Sequence, residues 1–121
     1  MKTPRSPQRG IRIPRKRIRE RFLLIYELEG CQKAVNFLTE HYGVKRMRIK
    51  LDGKRVGARK GNGWLACYSE NKAYFTKRGL NKRTVLHEFY HHLVETKGLE
   101  LPERIEEKQA NSYASEFVKK P

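Results

Sequence analysis

Residues 81–98 read NKRTVLHEFYHHLVETKG, and the rest of the chain is understood from them. Asn81 is a good N-cap and Gly98 a good stop, so the spacing predicts a helix over 82–97. On a helical wheel Leu86, Phe89, Tyr90 and Leu93 gather into a core-facing stripe. Taking Leu86 as zero, His87 and His91 fall roughly 100–140° away and Glu88 roughly 200° away. The two histidines therefore stand apart from the core stripe. Residues four apart lie one turn apart on one face, so both imidazoles can reach a single Zn²⁺ at roughly 2.0–2.1 Å. Glu88 is rotated about 100° from His87, which suits a carboxylate that holds and deprotonates a zinc-activated water and does not itself ligate.

A catalytic zinc takes three protein ligands and keeps one position for water, so His87-Glu88-x-x-His91 needs a partner. Pro102 opens a final predicted helix that runs to about Val118, with Ala110, Tyr113, Ala114 and Phe117 as its apolar face. Glu103, Glu106 and Glu107 are its candidate ligands. Glu107 lies on the edge of the apolar face with Asn111 one turn further on, and an Asn there can hold the far nitrogen of a ligating histidine. That combination favours Glu107, with Glu106 as the alternative. Tyr113 and His92 are candidates for stabilising an oxyanion, although a structural role suits each of them better.

Working outward, residues 1–14 carry three prolines and no apolar period, and read as a basic flexible arm ahead of a single domain over 15–121. Helices are predicted over 15–29, ended by Gly30, and over 31–41, ended by Gly43. Four candidate strands come next at 44–51, 54–59, 64–69 and 73–78, separated by Asp52-Gly53, Gly61-Asn62-Gly63 and Glu70-Asn71. The expectation is an α+β fold: two helices, a small, mostly antiparallel four-stranded sheet, then two helices. Tyr74, Phe75 and Thr76, just before the histidine helix, are the candidate strand edge for pairing with an extended peptide.

The His87-Glu88-x-x-His91 helix, followed by Glu107-Lys108-Gln109-Ala110-Asn111, resembles the gluzincin metallopeptidases. In those enzymes a Glu from a following helix completes the H-E-x-x-H zinc site. The small size is similar to that of the minigluzincins, and Gln109-Ala110-Asn111-Ser112-Tyr113-Ala114 is similar to the signature of the ImmA/IrrE-type peptidases. The resemblance covers roughly 64–121 and implies a zincin-like domain. It also implies His87, His91 and Glu107 as zinc ligands, Glu88 as general base and acid, and Asn111 as a support for the ligands. The implied activity is zinc-dependent endopeptidase cleavage, held latent if a terminal segment covers the site.

Charge points to a second class of partner. The 121 residues carry a net +15, with 28 Lys and Arg against 13 Asp and Glu. Residues 1–21 hold nine bases and one acid, and residues 44–60 hold eight bases and one acid. Segregated single-sign charge favours a polyanion, so a basic nucleic-acid-binding protein, or a peptidase recruited to nucleoprotein, is the competing reading. Aromatic residues are absent from both segments, so any such binding is directed at phosphates. The longest apolar run, Phe22 to Tyr26, is far short of a membrane span, and the basic, proline-punctuated start has no signal-peptide pattern. Cys31 and Cys67 form no disulfide framework, which fits a reducing, cytoplasmic setting.

Overall fold

The computed structural model describes residues 10–61 and 63–119. Its elements are α1 (Lys16–Glu29), α2 (Cys31–Tyr42), β1 (Arg48–Leu51), α3 (Gly53–Lys60), β2 (Ala66–Ser69), β3 (Lys72–Phe75), α4 (Lys82–Thr96) and α5 (Glu103–Val118). The fold is α+β, with five helices and one three-stranded mixed sheet among the described residues. None of these helices is long and apolar enough to cross a membrane.

Helix ends follow the local chemistry. The Asn81 side chain accepts the Thr84 N–H at 2.9 Å and starts α4. Gly30 separates α1 from α2 at φ 101°, a left-handed backbone that costs a glycine little. Phe22 is buried on α1 and meets Phe117 of α5 edge-on, with ring centroids 5.1 Å apart. That contact joins the N-terminal helices to the C-terminal one. Helix α4 packs most extensively on α5 and rests its other flank on β2 and β3, so the core surrounds it. Leu86, Phe89, Tyr90 and Leu93 of the expected stripe are buried, as are Ala110, Tyr113, Ala114 and Phe117 of α5.

The sheet differs from expectation in strand number and in direction. Its order is β1-β3-β2, with β1 parallel to β3 and β2 antiparallel to β3. Residues 54–59 form no strand; they lie in α3. Asp52 followed by Gly53 suggested a hairpin turn, but the Asp52 carboxylate accepts the Arg55 N–H at 3.1 Å and caps a helix instead. Only Val56 of α3 is buried, against Cys67 and Tyr74, and one inward residue in eight provides no alternating apolar face for a strand. Glu70 and Asn71 do form the expected hairpin turn, both at positive φ, between β2 and β3.

The strand expected over 44–51 begins only at Arg48, because side chains occupy the backbone before it. The Gln32 amide donates to the Met47 carbonyl and accepts the Ile49 N–H, each at 2.9 Å. It stands in for a peptide unit and covers the outer edge of β1. The Lys45 carbonyl accepts from His92 Nε2 at 2.6 Å.

Of the basic arm expected over 1–14, residues 1–9 lie outside the described residues, as do residues 120–121. Residues 10–14 are held against the domain. The Ile11 N–H donates to the Tyr90 hydroxyl at 2.8 Å, and Ile11 and Ile13 pack on the core. A side chain at Gly10 would meet the Tyr90 hydroxyl and the Gln109 amide, so the segment lies close against these two side chains.

Candidate metal centre

One turn of α4 and the first turns of α5 bring the chemistry together. His87 Nε2 and His91 Nε2 lie 3.3 Å apart. Glu107 faces both, with Oε1 3.1 Å from His87 Nε2 and Oε2 3.0 Å from His91 Nε2. One ligand atom from each of the three residues falls within 4.8 Å of the others. Two imidazole nitrogens bound tetrahedrally at roughly 2.0–2.1 Å stand about 3.3 Å apart, so the donor spacing fits a zinc-sized cation. The chemistry of the donors fits as well: two imidazoles and a carboxylate are a borderline-soft set suited to zinc.

The two glutamates meet the histidines differently. Glu106 Oε2 lies 2.6 Å from Nδ1 of His91, the ring nitrogen that points away from the cluster. Nδ1–H donating to Glu106 leaves the Nε2 lone pair facing inward, which is the tautomer a metal ligand needs. Glu106 therefore orients a histidine and Glu107 joins the cluster. Asn111 lies near His87, where its side chain favours the protonated ring. Burial outweighs that influence and, with His91 alongside, pushes the His87 pKa down, which keeps the imidazole neutral.

Glu88 is 7% exposed and sits on the floor beside this cluster. It lies away from the Leu86 stripe on the wheel and is buried all the same, α4 being packed on β2 as well as on α5. Burial pushes its pKa up to about 7; Glu107 adds to the rise, while His91 and Lys60 oppose it. A carboxyl poised there can both take and return a proton near neutrality.

The site opens into a cleft of about 420 Å³. His87, Glu88 and His91 form its floor, Glu103, Glu106 and Glu107 one rim, and Ala66 and Tyr68 of β2 part of the wall. Arg59, Lys60 and Trp64 line it from the α3 side. A larger groove of about 920 Å³ runs past Leu23, Tyr26, Leu80 and Phe117, but no ligating side chain of the cluster reaches it. Residues 10–13 border a separate depression with Tyr90 and Gln109, so the described part of the N-terminal segment lies off the cleft.

One expectation changes at the site, and both oxyanion candidates lie outside the cleft. Tyr74 and Phe75 belong to β3, the middle strand, whose two edges are both taken, and the Thr76 N–H donates to the Leu65 carbonyl. These residues have no free edge. Among the described residues β2, Ala66–Ser69, is the outer strand that borders the cleft; Ala66 and Cys67 are buried, and Tyr68 and Ser69 are half-exposed. Tyr113 is buried and its hydroxyl is bonded to that of Tyr42 at 2.8 Å, so it stands outside the cleft. His92 is fully buried between the Lys45 carbonyl and the Tyr68 hydroxyl, which gives it a structural role. Tyr68, Trp64 and Lys60 line the cleft without having been expected there; only the fold of α3 and β2 brings them to it.

The thiols are quiet. Burial pushes Cys31 up to about 11 and also raises Cys67.

No family model matches the chain, and no curated protein or solved structure is significantly similar to it.

Proposed function

We propose that this protein is a zinc-dependent endopeptidase of gluzincin type, built on a minimal zincin-like domain. The observation that carries the reading is the convergence of His87 Nε2, His91 Nε2 and Glu107 within 4.8 Å, beside a buried Glu88 on the floor of an open cleft. His87, His91 and Glu107 would hold the zinc, which when bound would polarise a peptide carbonyl and acidify a water molecule. Glu88 would accept the proton of the attacking water and return it to the leaving nitrogen, a task matched by a pKa near 7. Glu106 and Asn111 would fix the two rings so that neither nitrogen needs to reorient during turnover. The half-exposed end of β2, Tyr68 and Ser69, would pair with an extended substrate and set its carbonyl over the floor. Quiet thiols suit a reducing, cytoplasmic setting.

The test is cleavage of an unbiased peptide mixture, read by mass spectrometry. Zinc-loaded wild type should cut it, a chelator should stop the reaction, and Glu88→Ala should be inactive while retaining zinc. Cleavage unchanged in Glu88→Ala would refute the proposal.

One observation favours a second reading. Arg48 and Lys50 of β1 and Lys54, Arg55, Arg59 and Lys60 of α3 are all exposed, as nucleic-acid contact would require. Salt-sensitive duplex binding that survives Glu88→Gln would support that role, alone or as recruitment of the peptidase to nucleoprotein.

A further inference from the structure

The two walls of the cleft carry opposite charge. Glu95, Glu103, Glu106 and Glu107 lie along α4 and α5, and across from them the last turn of α3 presents Arg59 and Lys60. Among the described residues, neither base is in an ion pair. Both also complement the negative end of α3, yet one helix end carries only about half a charge, so most of their positive charge is left over. Trp64 is 51% exposed beside them, and the Lys60 ammonium rests 4.7 Å from its ring centroid. The aromatic face holds that cation at the cleft and offers a flat surface for the stem of a ligand side chain.

A ligand in this cleft meets cations on one side and carboxylates on the other. A nucleic-acid strand repeats its charge at every phosphate and would set some of them against Glu103 and Glu106. A peptide with a single carboxylate at the α3 side meets only the matching wall. We propose that Arg59, Lys60 and Trp64 form a specificity subsite for a peptide carboxylate, either an Asp or Glu side chain or a chain terminus. This inference rests on reading the cleft as a peptide site.

Trp64 is the only tryptophan in the chain, so its fluorescence reports occupancy of the cleft without turnover. Zinc-loaded Glu88→Ala protein is titrated at low ionic strength with three acetylated hexapeptides of otherwise identical sequence. One has a central Glu and an amidated end, one a central Gln and an amidated end, and one a central Gln and a free carboxyl end. At least one carboxylate peptide should bind about tenfold more tightly than the neutral one, the scale of one or two exposed ion pairs. Which of the two gains identifies the source of the carboxylate. The advantage should vanish in Arg59→Ala/Lys60→Ala and also in Arg59→Gln/Lys60→Gln, which keeps the side-chain stems and protects the last turn of α3.

Equal affinity for all three peptides would overturn the subsite, as would a preference that persists in both wall variants. A single-stranded oligonucleotide that outbinds every peptide through the same two bases would overturn it in favour of nucleic acid. Charge-blind binding alongside zinc-dependent cleavage by wild type would sink the subsite alone. Discrimination without any cleavage would sink the peptidase reading and leave a carboxylate-binding cleft.

Discussion

Replacing Glu88 with Gln should stabilise the metal-free protein, and by more as pH rises. Burial lifts the Glu88 pKa from the ordinary 4.5 to about 7, so the folded chain keeps a proton over an interval in which the unfolded chain has released it. Fewer protons on the unfolded chain means that stability falls as pH rises through that window. Below it both states are protonated and the group has no effect; above it the full cost of a buried charge is felt. At 1.36 kcal/mol per unit, ionisation of Glu88 costs about 1 kcal/mol at pH 5 and about 3 kcal/mol at pH 8. Gln removes this contribution and adds a packing change that is the same at both pH values. Urea unfolding of wild type and Glu88→Gln, stripped of metal, should therefore show the variant gaining about 2 kcal/mol more at pH 8 than at pH 5. His87 and His92, whose pKa values burial pushes down, act in the opposite direction, but they are common to both proteins and largely cancel in the difference. Zinc beside the carboxylate favours its charged form, so the pH effect should shrink in the loaded protein. A substitution effect that is the same at both pH values would refute the burial argument for Glu88.

Other residues give sharper local tests. Glu106→Ala should weaken zinc binding roughly 10–100-fold by freeing the His91 ring, measured by competition with a chromogenic chelator; unchanged affinity would deny Glu106 its orienting role. Gln32→Ala should cost about 1–2 kcal/mol in urea unfolding, because it leaves the Met47 carbonyl and Ile49 N–H without their partner. Tyr90→Phe removes the acceptor of the Ile11 N–H and should cost about 1–2 kcal/mol. It should also speed proteolytic clipping around residues 10–14, and equal clipping in wild type would show that the segment is not held by Tyr90.

Four of the five described helices were legible because their signals are local. Asn81, Gly30 and Gly43 mark ends through their own side chains or backbone freedom, and a stripe such as Ala110, Tyr113, Ala114 and Phe117 is visible in one window. The pairing of His87 with His91 was legible for the same reason, since four residues make one turn whatever surrounds them. The sheet was less legible. Asp52 before Gly53 serves a hairpin or a helix cap equally well, and the packing of the next few residues decides between them. The Val56 contact with Cys67 and Tyr74 that favours the helix comes from residues 11 and 18 positions away. Strand order was hidden too, because the parallel β1–β3 pairing depends on how the chain crosses over, and this moved the outer strand from residues 74–76 to β2. The difference between Glu106 and Glu107 arises from the crossing of α4 and α5, which sets one carboxylate on an inner nitrogen and the other on an outer one. Lys60 and Trp64 carry no signal in sequence for a place beside Glu88, and only the packing of α3 brings them there.

Everything proposed for the cleft depends on α4 and α5 together holding a zinc ion with an open face. Metal content of the purified, zinc-reconstituted protein tests it most directly, with wild type measured beside Glu88→Ala and Glu107→Ala. The account predicts about one zinc per chain in wild type and in Glu88→Ala, with a marked loss in Glu107→Ala. Zinc absent from all three, or equal in wild type and Glu107→Ala, would contradict it.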